Sequence, residues 1–325
     1  MQTPSFLWVT DPWSTLYHTK DTTLRLMLEA INMGIPTFWT ASDFLFSGTS
    51  HGEVMAVEVK KKSDLTDLET LERRPYPLSR FQQIHDRIDP PVDEHYCKLI
   101  DQLLDSGASE QQILNPPSLL KHLSEKIPPD ELMQFAPKLF VLQHESELNT
   151  VINLFKNDAE IVSKPLHLAQ SIGVNKHPTP KSFEEWKSLA VNLTHGFTQP
   201  ILFEEYLSEI QNGETRLWFA GEVLVGSMRK YPKKGDFRVL IDEGSRVSAH
   251  TLTPEEEHIA KAIGSTLKKQ GVLMAAVDLI GNKICDYNIT SPGLLMQLEE
   301  VCGGKNLARI VLNQALQYRA PQVHE

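Results

Sequence analysis

Cysteine is scarce in this chain of 325 residues, with only Cys97, Cys285 and Cys302, widely spaced and odd in number. Lacking a C-x-x-C pair, they imply neither a disulfide framework nor a zinc site, and a reducing, cytoplasmic setting is expected. Positive charge is in deficit too. The formal net charge is −10 and the isoelectric point about 5.7, so no global field draws nucleic acid or an anionic membrane to the surface. No apolar run reaches the roughly 18 residues of a membrane span, and the start, Met1-Gln2-Thr3-Pro4-Ser5-Phe6-Leu7-Trp8-Val9, has neither the basic residues nor the apolar length of a secretory leader. There is no repeat and no low-complexity tract. His18, His167, His177 and His195 are scattered without metal-ligand spacing, and no Ser-His-Asp or Cys-His arrangement stands out.

What is present suits a globular protein of two or three domains, with 41% apolar and 23% charged residues. Phe6 to Val9 reads as a strand, Asp21 to Gly34 as a helix through Leu24, Leu28 and Ile31, and Pro36 to Trp39 as a second strand. This βαβ unit implies a parallel sheet with its ligand at the carboxyl ends of the strands, near Asp11 and Lys20. Val54 to Val59 adds a strand, Lys60 to Arg74 a charged edge excursion, Arg87 to Asp93 a proline-fixed loop, and Glu94 to Leu104 a helix. Asn115-Pro116-Pro117 marks a boundary, after which Ser118 is expected to cap a helix through Leu123. Strands at Phe140 to Leu142 and Ile161 to Leu166 flank a helix from Glu145 to Phe155, and Ile201 to Leu207 is a buried strand turning polar. Thr215 to Phe219, Val223 to Met228 and Arg238 to Ile241 form an antiparallel series, Thr253 to Gly271 a helix opened by a capping box, and Asn306 to Tyr318 the last helix.

The richest chemical signal is Val277-Asp278-Leu279-Ile280-Gly281, followed by Asp286-Tyr287-Asn288-Ile289-Thr290-Ser291-Pro292. Two apolar runs joined by a Gly281-Asn282-Lys283 turn read as a hairpin, and Asp286 and Asn288, two apart, share one face of it. Such hard oxygen ligands suit Mg²⁺, which takes one or two protein carboxylates and completes its shell with phosphates and water. Cys285 points to the other face and is expected to be structural.

Several motifs stand in one order: Asp11-Pro12, Lys20-Asp21, Asp89-Pro90-Pro91-x-Asp93, Asn115-Pro116, Glu125-Lys126, Lys164-Pro165-Leu166, Asn212-Gly213-Glu214-Thr215-Arg216, Gly221-Glu222, Leu252-Thr253 and the hairpin. In that order, over nearly the full length, the chain resembles the bacterial glutathione synthetases of the ATP-grasp family. The resemblance implies an α/β ATP-grasp fold with a Rossmann-like N-terminal substrate domain over residues 1–116, a central lid subdomain over 117–203 and a C-terminal subdomain over 204–325 with the Mg/ATP site. It implies Lys126 and Lys164 on the ATP phosphates, where each charge-assisted bond is worth about 1.5–3 kcal/mol. Glu204, Glu205, Tyr206 and Leu207 would face the adenine, with Glu214 near the ribose. Asp278, Asp286 and Asn288 would hold Mg²⁺, and Arg216 and Arg238 would neutralise charge on the transferring groups. Lys20, Arg87, Asn288 and Ser291 would meet an anionic dipeptide or amino acid.

The function implied is an ATP- and Mg²⁺-dependent carboxylate–amine ligase working through an acylphosphate, with small-molecule substrates, no nucleic-acid or membrane partner, and self-association left open. One segment departs from the family. After Leu166 the chain reads His167-Leu168-Ala169-Gln170-Ser171-Ile172 where the family has Asp-Gly and a glycine-rich loop. Non-glycine residues bear about 1–2 kcal/mol for each left-handed conformation, so the phosphate lid is expected to be missing or rebuilt. The loop after Arg238, Val239 to Ser245, also lacks the family's Gly-Asn. The alternatives are a ligase with a different acceptor, or a catalytically weakened nucleotide-binding protein. His167, directly after the phosphate lysine segment, is the foremost histidine candidate.

Overall fold

The computed structural model describes residues 4–318; the first three residues of the leader reading lie outside them. Three sheets follow one another along the chain. The first contains β1 (Phe6–Thr10), β2 (Thr37–Ala41), β3 (Glu53–Val59), β4 (Arg74–Pro77), β5 (Gln83–Arg87) and β6 (Ile113–Leu114), in the order β4-β3-β2-β1-β5-β6. Its four strands β2, β1, β5 and β6 are parallel, and β3 and β4 close one edge antiparallel. Helices α1 (Thr22–Asn32) and α2 (Glu94–Asp105) make the crossovers, as parallel strands require. Each starts at an aspartate cap: Asp21 accepts from Leu24 N and Asp93 from Tyr96 N.

After α3 (Pro117–Leu120), the central sheet holds β7 (Leu139–Leu142), β8 (Glu160–Pro165), β9 (Asn175–Pro178) and β10 (Ile201–Glu205), antiparallel in the order β7-β10-β8-β9, with α4 (Leu148–Phe155) and α5 (Phe183–Leu193) on it. β10 runs across the expected join at 203/204. The third sheet has β11 (Glu214–Ala220), β12 (Val223–Tyr231), β13 (Arg246–Ala249), β14 (Met274–Ile280) and β15 (Lys283–Asn288) in the order β13-β12-β11-β14-β15. Helices α6 (Pro254–Gln270), α7 (Leu295–Val301) and α8 (Leu307–Gln317) pack against it.

Two of the three apolar cores are shared by the first and third sheets. Leu7, Phe38 and Ile100 pack in one cluster with Leu217, Phe219 and Ile263, and Phe6, Trp8 and Leu26 in another with Trp218, Leu298 and Val311. The central sheet has its own core around Phe155, Trp186 and Phe203. Asn115, 2% exposed, ties the outer parts together: its Nδ2 donates to Met274 O (2.7 Å) and Ile289 O (2.6 Å), and its Oδ1 accepts from Leu273 N (2.8 Å) and Met274 N (3.0 Å).

Several expectations need correction. Arg87 does not open a loop but ends the buried strand β5, whose polar residues hide it from an apolar pattern. Residues 60–74 are not wholly solvated: two 3-10 turns, Lys62–Thr66 and Leu68–Thr70, anchor Leu68 at 0% exposure. The helix after the prolines stops at Leu120 and has Pro116, not Ser118, at its start. Residues 238–241 form no strand, because Asp236 accepts from Phe237 N and Arg238 N and bends the chain; β13 is the third antiparallel strand.

Candidate active site

The chain around Glu125 is stitched to β15. Tyr287 N donates to Glu125 O at 2.7 Å, and Ile289 N and Thr290 N donate to Glu125 Oε1 at 2.8 and 2.7 Å. The next side chain, Lys126, is thereby carried to Asp286, with Nζ 3.0 Å from Oδ1. Lys164 arrives from the opposite wall on β8, pairing with Glu204 Oε2 of β10 at 2.7 Å and donating to Cys285 O at 3.1 Å. The two lysines are only 6% and 8% exposed, a burial that ammonium groups tolerate only with partners. Burial pulls the Lys164 pKa down, but the Glu204 carboxylate outweighs it and holds it above the usual lysine range. Lys164 is a fixed cation.

Beneath them runs a cross-strand row. Arg216 of β11, Asp278 of β14 and Asp286 of β15 are in register, and cross-strand neighbours of this kind interact directly. Arg216 clamps Asp278 bidentately, Nε to Oδ1 at 2.9 Å and Nη2 to Oδ2 at 2.6 Å. Lys230 of β12 joins them, 3.1 Å from Asp278 Oδ1 and in closer contact with Glu214. Asp278 is 1% exposed; burial alone would raise its pKa, yet Arg216 and Lys230 keep it well below the usual carboxylate range. Asn288 donates Nδ2 to Ala276 O at 2.9 Å, leaving its carbonyl oxygen without a donor among the described residues. Cys285 is buried, with its thiol on Asp278 O at 3.2 Å.

Between the central and C-terminal sheets lies a cleft of about 580 Å³, partly open to solvent and within the range of small-molecule sites. One end is charged, with Lys126, Lys164 and Asp286; the other is apolar, with Val162, Leu207, Ile210 and Phe237. Glu204, Glu205, Tyr206 and Leu207 all line the cleft. Glu205 has a structural contact, its Oε1 accepting from Lys138 N at 2.8 Å, and the Lys176 ammonium lies 4.3 Å over the Tyr206 ring. Glu214 and Arg238 also line the cleft; Arg238 sits in the irregular loop, held by Asp236 at 3.2 and 3.1 Å. Gly213, at φ +90°, lets β11 start here, since a Cβ would stand 2.7 Å from Lys230 O.

Other expected residues do not converge on this cleft. Lys20 points to Glu300 at 4.0 Å. Arg87, 3% exposed, donates Nε to Thr23 Oγ1 at 3.0 Å and Nη2 to Pro292 O at 2.9 Å. Ser291 donates to Arg87 O at 3.5 Å, so these two belong together beside the Asp89 loop. Lys230 is absent from the sequence-based candidates. Its signal is that it shares a strand face with buried Met228, a position where a lysine needs an anionic partner.

The glycine-poor loop does adopt left-handed backbone. Gln170 and Ser171 have φ of +55° and +58°, and Gly173 +72°. Ile172 N donates to Ala169 O (3.0 Å) and Val174 N to Ser171 O (3.2 Å), giving the φ signs of a type I′ turn followed by those of a type II turn. Type I′ turns favour Asn-Gly; Gln-Ser here bears about 1–2 kcal/mol per residue. The N–H groups of Gln170, Ser171 and Gly173 have no acceptor among the described residues, and Ser171 lines the cleft. Two successive turns thus stand where the glycine-rich loop was expected to be missing or rebuilt.

Among the described residues no group of three or more His, Cys, Asp and Glu stands together as a metal site. The donor set fits Mg²⁺ through Asp286, which lines the cleft, and the carbonyl oxygen of Asn288, which suffice when phosphates and water complete the shell; Asp278 is buried behind them and already bonded on both oxygens by Arg216 and Lys230. Fold and cleft define an ATP-grasp protein. The crystal structure of the D-cycloserine synthetase DcsG shares the fold, with a TM-score of 0.67 over 95% of this chain and 100% of that one, at 14% identity.

The chain belongs to the prokaryotic glutathione synthetase family: residues 5–121 match its N-terminal domain and 125–303 its ATP-grasp domain. The glutathione synthetase of Agrobacterium fabrum is 28% identical over 295 residues, 90% of this chain and 89% of the relative. That of Brucella melitensis is 28% identical over 303 residues, covering 92% and 94%. The chain is therefore an ATP-dependent ligase that makes carbon–nitrogen bonds, uses ATP and Mg²⁺, and acts on small molecules such as amino acids or peptides. No helix among the described residues is long and apolar enough to cross a membrane.

Proposed function

We propose that Lys126 and Lys164 hold the phosphates of ATP in this cleft while the chain activates the carboxylate of a peptide or amino acid for attack by an amine. The observation that carries this is the convergence of two buried lysines, Lys126 from a turn tied to β15 and Lys164 from β8 of the central sheet, on one carboxylate-rich pocket. The apolar end, walled by Val162, Leu207 and Phe237, suits the adenine, with Glu204 to Leu207 beside it and Glu214 near the ribose. Asp286 and Asn288, with Asp278 buried behind them, would hold Mg²⁺, which when bound supplies charge neutralisation on the phosphoryl oxygens.

The chemistry balances in two steps. A carboxylate oxygen attacks the γ-phosphorus, the bond to the β,γ-bridging oxygen breaks, and ADP leaves an acylphosphate. The amine nitrogen then attacks the acyl carbon, the carbon–oxygen bond to phosphate breaks, and the nitrogen loses a proton. No protein nucleophile is required; the lysines, with Arg216 and Arg238 behind and beside them, orient the groups and offset their charge. We read the chain in three parts with joins near 116/117 and 203/204, the central part forming the wall that carries Lys164.

The test is the purified protein with ATP, Mg²⁺, γ-glutamylcysteine and glycine. ADP, phosphate and tripeptide should appear in equal amounts. Nucleotide binding without ADP release on any of a panel of γ-glutamyl dipeptides and free amino acids would instead favour a binding protein.

A further inference from the structure

A second cleft, about 300 Å³ and partly open, lies beside the first between the Asp89-Pro90-Pro91 loop and the segment after Lys164. The two share no lining residue, yet three chain segments cross from one to the other: Glu125 precedes Lys126, Leu166 follows Lys164 by two, and Thr290 follows Asp286 by four. A molecule seated in the second cleft therefore abuts the lysine cluster. Its walls are Pro90, Val92, Leu123, Leu166 and Leu168, and no lysine or arginine lines it.

The polar groups there are mostly engaged by the fold. Glu125 Oε1 takes the Ile289 and Thr290 amides, and Ser124 Oγ donates to Leu166 O at 3.0 Å. Only the exposed His167 at the rim is without a partner among the described residues. Neither Lys20 nor Arg87 lines this cleft: Lys20 faces Glu300, and Arg87 donates Nε to Thr23 and Nη2 to Pro292, its buried Nη1 having no partner among the described residues. A charged group in this cleft would lose water without gaining an opposite charge, whereas hydrocarbon would be favoured.

We propose that the acid substrate carries an aliphatic side chain on the carbon bearing its reacting carboxylate, and that Val92 and Leu168 select for it. The proposal rests on the ligase reading and refines its substrate. A pocket of this kind discriminates by roughly 10- to 200-fold per methylene.

The experiment compares kcat/KM, from ADP release with Mg-ATP and glycine, for γ-glutamylcysteine, γ-glutamylalanine, γ-glutamylvaline and γ-glutamylleucine. The valine or leucine peptide should exceed the alanine and cysteine peptides at least tenfold. In Leu168→Asn and Val92→Ser, the leucine-to-alanine ratio should fall toward one; because both substrates are read on the same variant, a merely loosened fold would not change that ratio. If γ-glutamylcysteine is the best substrate, or the ratio survives both substitutions, the proposal is wrong while the ligase reading stands. If no acid drives ADP release, the ligase reading fails and takes the proposal with it.

Discussion

Asp278 is the residue on which two requirements meet. Taken from the hairpin alone, Asp278→Asn should silence the response to Mg-ATP and leave the fold intact. The structure changes the second half of that expectation, because the carboxylate neutralises Arg216 and Lys230 in a buried site. Removing one partner of a buried ion pair typically costs about 3–5 kcal/mol, so denaturant melts of Asp278→Asn should show a large loss of stability as well. Asp286 separates the two effects, since its side chain is 26% exposed and meets one ammonium, Lys126. Asp286→Asn should abolish the thermal stabilisation by Mg-ATP at a stability loss well below that of Asp278→Asn. An undiminished Mg-ATP shift in Asp286→Asn would remove the hairpin from the nucleotide site.

β5 shows what an element can conceal. His85 sits on β5 between β1 and β6 with its ring stacked 4.0 Å from Trp8, and neither ring nitrogen has a partner among the described residues. Burial, and then Arg87, press its pKa down to about 3. Unfolded histidine titrates near 6.5, so its contribution to stability is present above that value and lost as pH falls toward 3. The adjacent Asp86 runs the other way: burial, opposed by hydrogen bonds from Tyr96 and Ile88 N, pushes it up to about 6 from 3.8. Its contribution is favourable below 3.8 and is lost as pH rises through 6. Between those limits the two neighbours oppose each other.

His85→Leu should therefore become less stable relative to wild type as pH rises from 4 to 6, by up to about 3 kcal/mol. Urea midpoints at three pH values would show it, and a difference independent of pH would contradict it. The same strand explains what the sequence withheld. Gln83-Ile84-His85-Asp86-Arg87 has neither an apolar run nor alternation, and only its tertiary surroundings make it a strand. The β14–β15 hairpin was legible because its apolar runs flank a glycine turn and its polar residues keep one spacing. Lys126 and Lys164 became visible only through the order of motifs, since a single lysine carries little information by itself.

At the scale of the molecule, the cores divide the cleft. Lys126 and Asp286 belong to the part whose cores run continuously through the first and third sheets, while Lys164, Glu204 and Ser171 ride on the central sheet with its separate core. A unit with its own core can shift as a body without disrupting its neighbours' packing. The sequence disclosed this division through the Asn115-Pro116-Pro117 break, but not the fusion of the outer cores by Asn115, whose partners lie more than 150 residues away. Nucleotide would bridge the two bodies, and its phosphates would offer acceptors to the Gln170, Ser171 and Gly173 amides that find none among the described residues. Hydrogen exchange should therefore slow at these three amides and along β10 when Mg-ADP is added, while β1 and β5 exchange as before. If protection instead rises uniformly over all three sheets, nucleotide acts as a general stabiliser and the central sheet is not an independently moving wall.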